Sequence, residues 1–154
     1  MKKYFIFRIK HGLLLLAIIM VLPLIVSAQN LIMARAADAT GLDPHTQTAF
    51  ASLRLLELIY EPLVVLDEKL NIVPALAESW SFSSDGRVLT FRLRKGVTFH
   101  DGSKMTAKDV IASFNRILTE KTGAATRANF LSIQSIEEQG QNTVVFYLSR
   151  PDVP

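Results

Sequence analysis

The stretch SWSFSSDGRVLTFRL, residues 79–93, carries the pattern that decides the fold. Its apolar residues alternate with polar ones in both halves, and alternation with a period of two places apolar side chains on one face of a strand. The central SSDG consists of residues that tolerate the backbone angles of a tight hairpin. We therefore predict a hairpin with a small aromatic core. The apolar residues that form it are Trp80, Phe82, Leu89, Phe91 and Leu93.

The sequence before this hairpin predicts two strands and a helix. Residues 31–37 form a short apolar run that is typical of a strand, and Gly41 and Pro44 then indicate a loop. From Thr46 to about Tyr60, apolar residues recur at three- and four-residue steps, which is the period of an amphipathic helix. Its predicted buried face consists of Phe50, Leu53, Leu56 and Tyr60, and Pro62 ends it. Residues 63–66 are again strand-like.

The sequence after the hairpin predicts a second helix and two more strands. Thr106 followed by Asp109 has the spacing of a capping box, in which both side chains bond free amides of the first turn. The helix is expected to end near Gly123 and to bury a stripe of four residues. These are Val110, Phe114, Ile117 and Leu118. With strands over 131–136 and 143–148, the fold class is α/β, with mixed α+β elements.

The amino terminus has the composition of an export signal. Residues 1–28 combine four basic residues, an apolar stretch over 13–26 and the small-residue ending Val-Ser-Ala. Fourteen apolar residues that include a proline fall short of the roughly 20 that cross a bilayer, so a cleaved signal peptide is favoured over a permanent anchor. We therefore expect a signal peptide over 1–28 and a mature chain over 29–154 that is periplasmic or secreted.

Composition excludes several classes of function. The chain contains no cysteine, so disulfides, thiolate metal sites and cysteine nucleophiles are excluded. Outside the signal segment, 13 basic residues face 14 acidic ones, and this balance removes the electrostatic basis for binding nucleic acid. Arg92, Arg94 and Lys95 form the one local basic cluster, which we interpret as a solvent-facing strand edge. No metal or cofactor is predicted.

The histidines offer little evidence for catalysis. His100 and Asp101 are neighbours in sequence and precede Gly102, so a turn is a better interpretation than a base with its orienting acid. His45 follows Asp-Pro and is expected to be a loop residue whose ring donates to nearby backbone. No GxSxG, phosphate-binding loop or HExxH sequence is present. We therefore predict that the chain is not an enzyme.

Five segments together resemble the amino-terminal part of the family 5 extracytoplasmic solute-binding proteins, the peptide receptors of ABC importers. The segments are GLDPH (41–45), IYEPLVVLD (59–67), VPALAESW (73–80), SSDGRVLTFRLRKGVTFHDG (83–102) and MTAKDVIASFNRIL (105–118). The likeness spans about residues 31–151. One departure is Pro62, where many relatives have glycine, and it should leave the fold unchanged.

The resemblance implies part of a type II periplasmic-binding-protein lobe with an added subdomain. Relatives consist of two hinged lobes that close around a solute, and this chain would be a truncated amino-terminal part. The loop that borders the cleft in the family implies Thr40, Gly41 and Leu42 as ligand-binding residues. The implied partners are a peptide or similar small solute and the ABC permease subunits, with the receptor itself monomeric.

Two alternatives to a binding receptor stay open at this point. One is an exported hydrolase whose catalytic residues lie beyond residue 154. The other is a truncated product without function, because a lobe that lacks its return strands would leave sheet edges unpaired. Dipeptide, oligopeptide, glutathione-like, nickel-chelate and sugar ligands all occur among the relatives, so the sequence does not select a solute.

Overall fold

The computed structural model describes residue 34 and residues 36–152, and the fold is that of the compact unit that begins at Ala37. Within these residues, helices and strands follow one another in a mixed order, which confirms the predicted fold class. In chain order they are α1 (Phe50–Leu56), β1 (Val64–Leu66), β2 (Ile72–Pro74), β3 (Ala77–Phe82), β4 (Val88–Leu93), α2 (Ala107–Leu118), β5 (Ile133–Glu138) and β6 (Thr143–Leu148). Two short 3-10 helices, Glu120–Thr122 and Arg127–Phe130, lie between α2 and β5.

The main sheet has four antiparallel strands in the order β3-β4-β6-β5. The predicted hairpin forms its β3-β4 pair, with Trp80 opposite Phe91 and Phe82 opposite Leu89. Strand β4 also pairs with β6, so it is an interior strand. The prediction that its arginines mark a strand edge is therefore wrong: Arg92 is exposed because it lies on a solvated face of the sheet.

Helix α2 packs against one face of this sheet and encloses the core. The ring of Phe146 is at its centre, with ring centroids 4.8 Å from Phe114 of α2 and 5.7 Å from Phe91 of β4. Trp80 is only half-buried and lies 6.5 Å from Phe91, at the margin of the aromatic group. The expectation that the hairpin forms its own aromatic core therefore needs correction, because β6 and α2 supply most of it. The buried residues are Leu93, Met105, Ala107, Val110, Val144, Phe146 and Leu148.

The start of α2 is as predicted, whereas its end is not. The Asp109 carboxylate accepts hydrogen bonds from the Thr106 backbone N–H at 2.7 Å and from the Thr106 hydroxyl at 3.0 Å, within a capping box. The helix ends at Leu118, before Gly123. Gly123 instead adopts a left-handed conformation, φ 66°, at the end of the following 3-10 helix. Gly123 therefore ends the 3-10 helix that follows α2, and not α2 itself.

Helix α1 is shorter than the predicted span of 46–60, and its apolar stripe is mostly exposed. The carbonyl of Asp43 accepts from the N–H groups of Thr46 and Gln47, so the first residues of the span form a separate turn. Among the predicted buried residues, Leu56 is 4% exposed, whereas Phe50 is 70% exposed. Leu53 and Tyr60 are also exposed, because none of the elements described covers that side of the helix.

Strands β1 and β2 form a separate two-stranded hairpin. Asp67 closes its turn by accepting from the N–H groups of Lys69 and Asn71, each at 2.8 Å. Leu70 takes a positive φ of 65°, which is unfavourable for a residue with a β-carbon. The side chain of Leu70 is 77% exposed, so the hairpin presents apolar surface.

The signal-peptide prediction for residues 1–28 and most of the predicted strand over 31–37 lie outside the described residues. Ala36 and Ala37 are in a bend. Among the residues that the structure does describe, there is no helix with both the length and the apolar character needed to span a bilayer.

Candidate functional site

The candidate site is the 40–47 loop, the segment from Thr40 to Gln47 that precedes α1. Thr40 is held by two partners: its N–H donates to the Ser52 hydroxyl at 2.9 Å, and its own hydroxyl donates to Gln47 Oε1 at 2.9 Å. Ser52 lies on α1 and is fully buried. Thr40 is exposed, but its hydroxyl already has a partner within the loop, which makes it a support of the loop more than a free ligand contact.

Gly41 lies against the side-chain amide of Gln47. A β-carbon added at Gly41 would approach Gln47 Nε2 to 2.5 Å and Cδ to 3.0 Å, closer than atoms in proteins normally come. Because Gln47 is tied to Thr40, the space at Gly41 is part of the same small cluster. Leu42 follows with 54% of its side chain exposed. Of the three predicted contacts, Leu42 thus offers an exposed apolar side chain to a solute.

An ion pair anchors the loop to the last turn of α2. Arg116 donates from Nη1 to Asp43 Oδ1 at 2.9 Å and from Nη2 to Asp43 Oδ2 at 2.5 Å, a two-bond geometry that matches guanidinium to carboxylate. The Arg116 hydrogen bonds and a backbone bond from His45 lower the pKa of Asp43 to about 2. Asp43 therefore remains ionised at any ordinary pH.

His45 joins this ion pair. Its Nδ1 lies 2.6 Å from Arg116 Nη1, and since a guanidinium can only donate, Nδ1 must be the unprotonated acceptor. Partial burial and the Arg116 cation lower the pKa of His45, while Asp43 opposes that shift. The carbonyl of His45 accepts from the Ala125 N–H at 3.0 Å. The predicted loop position is confirmed, but the ring accepts from Arg116 and the expected donation to backbone is wrong.

The sequence did not reveal the Arg116 partner. Asp43 and Arg116 are separated by 73 positions, and no local periodicity or motif links residues so far apart. The GLDPH segment marked the loop itself, because its glycine and proline are turn residues. The tertiary pairing of the loop with α2 became visible only in the folded chain.

The remaining candidate groups form turns. The Asp101 carboxylate accepts from the Ser103 N–H at 2.9 Å and from the Ser103 hydroxyl at 2.7 Å, as predicted for a turn. These bonds lower the pKa of Asp101. Across residues 36–152, no three His, Asp or Glu side chains are grouped so that they could hold a metal ion.

Comparison with known proteins identifies a family and several relatives. The family model for bacterial extracellular solute-binding proteins, family 5 (middle), matches residues 71–154. A putative ABC transporter peptide-binding protein of Brucella ovis is 41% identical over 93 residues, which cover 60% of this chain and 18% of the relative. The chain therefore spans about a fifth of that relative's length.

Solved structures give the same result for the fold. The oligopeptide-binding protein AppA of Bacillus subtilis, in complex with a nonapeptide, superposes with a TM-score of 0.70 at 30% identity, covering 74% of this chain and 23% of that one. The binding protein AgaA of A. tumefaciens R10, in complex with agropinic acid, superposes with a TM-score of 0.59 at 42% identity, covering 62% and 19%. The neighbours are type II periplasmic binding proteins, so the predicted fold is confirmed.

Proposed function

Because the chain belongs to family 5 of the bacterial extracellular solute-binding proteins, we propose that it is the substrate-binding component of an ABC importer. The family match over residues 71–154 is the observation that carries the proposal. Family 5 comprises binding proteins, and no finding supports the hydrolase alternative. The proposed mechanism is reversible enclosure of a solute, with no covalent step.

A peptide is the proposed solute. AppA is an oligopeptide-binding protein solved with a nonapeptide, and the Brucella relative is described as a putative peptide-binding protein. AgaA was solved with agropinic acid, so a small non-peptide solute is the second class to test. The chain spans 18–23% of these three proteins, and the proposed whole-protein role therefore rests on likeness of this part.

The 40–47 loop is the proposed contribution of this chain to the solute site. Leu42 would supply apolar contact, because its side chain is 54% exposed, and Gly41 would supply backbone surface. Thr40 would hold the loop through its bonds to Ser52 and Gln47. We retain all three residues as proposed ligand contacts, with Leu42 as the principal one.

The remaining parts of the proposal concern location and partners. Residues 1–28 are the proposed signal peptide, and residues 29–154 the amino-terminal part of a solute-binding domain. The protein would act as a periplasmic or secreted monomer that delivers solute to the permease subunits. The family consists of extracellular proteins, which supports the proposed location.

The test is thermal unfolding of the complete protein with a panel of dipeptides, nonapeptides and agropinic acid. A solute that binds only the folded state at 100 times its dissociation constant adds about 2.7 kcal/mol to the free energy of unfolding. Leu42→Ser should weaken this gain. Leu131→Ser is the matched control, because Leu131 is 56% exposed and outside the loop. The absence of any stabilising solute, or equal weakening by both variants, would contradict the proposed site.

A further inference from the structure

The contact between the 40–47 loop and α2 rests mainly on one side chain. Arg116 bonds both carboxylate oxygens of Asp43 and also lies against His45 Nδ1. The carboxylate of Asp43 in turn accepts from the His45 N–H at 3.0 Å. The three residues thus form a closed group, which we call the Arg116 clamp, with two members on the loop and one on the helix.

The clamp has only one compatible protonation state. Arg116 is always protonated and supplies only donors, so His45 must be neutral, with its proton on Nε2. Protonation of His45 would place a second cation and a second donor against Arg116 Nη1, and the 2.6 Å contact would become repulsive. All three contacts of the group are therefore present together only while His45 is uncharged, whereas the Asp43–Arg116 pair does not depend on the charge of His45.

The surrounding charges do not remove this conflict. On the loop itself, the Asp43 carboxylate attracts a His45 cation, but its two oxygens are already bonded to Arg116. From the segment after α1, Tyr60 interacts electrostatically with Arg116, and from beyond α2 the Ala125 N–H faces the His45 carbonyl. Arg116 itself is the cation contributed by α2. Burial and Arg116 together outweigh Asp43, so the charged imidazole is disfavoured.

We propose that Arg116 is a positioning residue that fixes the 40–47 loop onto α2, and that protonation of His45 loosens this clamp by breaking the His45–Arg116 contact while the Asp43–Arg116 ion pair persists. As a part of the solute site, this inference rests on the proposed function. The complete clamp would hold Gly41 and Leu42 in place at neutral pH, and the loosened clamp would leave them more mobile in acid. Solute affinity would then fall in acid because loop order is lost, while Leu42 itself is unchanged.

The direction of the pH effect, and the pH range in which it occurs, follow from the pKa values of His45 and Asp43. The pKa of His45 is lowered below about 6.5, its ordinary value, so the clamp is complete above pH 6.5 and its His45–Arg116 contact is lost as the pH falls through the lowered value. The pKa of Asp43 is about 2, so the carboxylate stays ionised throughout that window. A change in the clamp below pH 6.5 and well above pH 2 would therefore report His45 and not Asp43.

The test is hydrogen exchange, followed by mass spectrometry, on the complete chain without solute between pH 7.5 and 4.5. After correction for the pH dependence of intrinsic exchange, we expect protection of the 40–47 peptide to fall roughly threefold to fivefold, the size expected for a partly exposed ion-pair contact. His45→Asn should keep its protection throughout, since an amide oxygen can accept from Arg116 without titrating. Because no solute is used, the outcome is independent of whether the proposed function holds.

Two further variants complete the experiment. Arg116→Lys should lose protection of the 40–47 peptide at both pH values, because a lysine cannot make the two-bond contact. Unchanged protection of β6 would show that this variant is folded. His100→Asn changes an exposed histidine in a turn and should behave as the unaltered chain. An equal loss of protection in His45→Asn and the unaltered chain, no loss in either, or normal protection in Arg116→Lys would overturn the proposal.

Discussion

At the scale of single residues, the Gln47 side chain would have to move to admit a β-carbon at Gly41. Gly41→Ala would push its β-carbon into the Gln47 amide and break the bond between Gln47 and the Thr40 hydroxyl. We expect a loss of about 1 kcal/mol in the free energy of unfolding, the usual value of one hydrogen bond. In a Gln47→Ala background the same change should cost much less. Urea unfolding of the four proteins in this cycle measures the difference, and simple additivity would contradict the proposed contact.

The pH dependence of the Asp43–Arg116 bond gives a second prediction for a single residue. Its pKa is lowered to about 2, so its bond to Arg116 stabilises the fold above the ordinary carboxylate pKa of about 3.9 and is lost as the pH falls towards 2. Asp43→Asn should therefore lower the melting temperature by a few degrees at most at pH 7, and the difference should shrink progressively as the pH falls from about 3.9 through 2. Glu57→Gln, which removes the exposed partner of Arg54, is the control. A difference that persists in acid would show that charge is not the cause.

The residues also show which interactions a sequence can predict. The bond between Thr106 and Asp109 was predictable, because a capping box joins residues three apart. The bond between Asp43 and Arg116 was not, because it depends on how a loop and a distant helix pack. The candidate loop was thus identified from its own residues, and its means of attachment was not.

At the scale of elements, β6 and α2 matter more to the core than the β3-β4 hairpin. Phe146 is 2% exposed and contacts rings from both β4 and α2, whereas Trp80 is half-buried on the outer strand β3. We expect Phe146→Ala to cost about 3–5 kcal/mol and Trp80→Ala less than about 2 kcal/mol. Chemical denaturation of the complete chain compares them. A larger loss of stability for Trp80→Ala than for Phe146→Ala would show that the β3-β4 hairpin contributes more to the core than β6 and α2 do.

The elements themselves were largely predictable, and their arrangement was not. Alternation in β4 and β6 and the helical period of α2 are local patterns that specify one buried face. The pairing of β4 with β6 joins residues such as Phe91 and Val144, about 50 positions apart, so an interior strand was mistaken for an edge. In α1 the period correctly indicated a helix, but periodicity does not say whether a partner covers the apolar stripe.

At the scale of the whole molecule, most of the exposed large apolar side chains of the described residues lie in the segment from α1 to β2. Phe50, Leu66 and Leu70 are 70%, 62% and 77% exposed, and they lie in α1 and the β1-β2 hairpin. Exposed apolar side chains promote association where they form a patch. The protein should therefore be monomeric when dilute, and larger species should form as its concentration rises.

Sedimentation velocity over a range of concentrations measures this tendency. The double change Leu66→Ser and Leu70→Ser should shift association to severalfold higher concentration, because it removes the two most exposed leucines of the hairpin turn region. Leu131→Ser serves as the control from a different segment of the chain. If all three proteins sediment alike, the hairpin is not the surface through which the chain associates.

The turn between β5 and β6 has a mechanical consequence. The Asn142 carbonyl accepts from the Leu93 N–H at 2.7 Å, and the neighbouring Gln141 carbonyl accepts from the Ala107 N–H at 2.9 Å. Two adjacent peptide units thus fasten the end of one strand and the first residue of a helix. An epitope tag inserted between Gln141 and Asn142 would separate their two carbonyls and disrupt these hydrogen bonds. This junction is therefore a poor insertion point, although it lies at the protein surface.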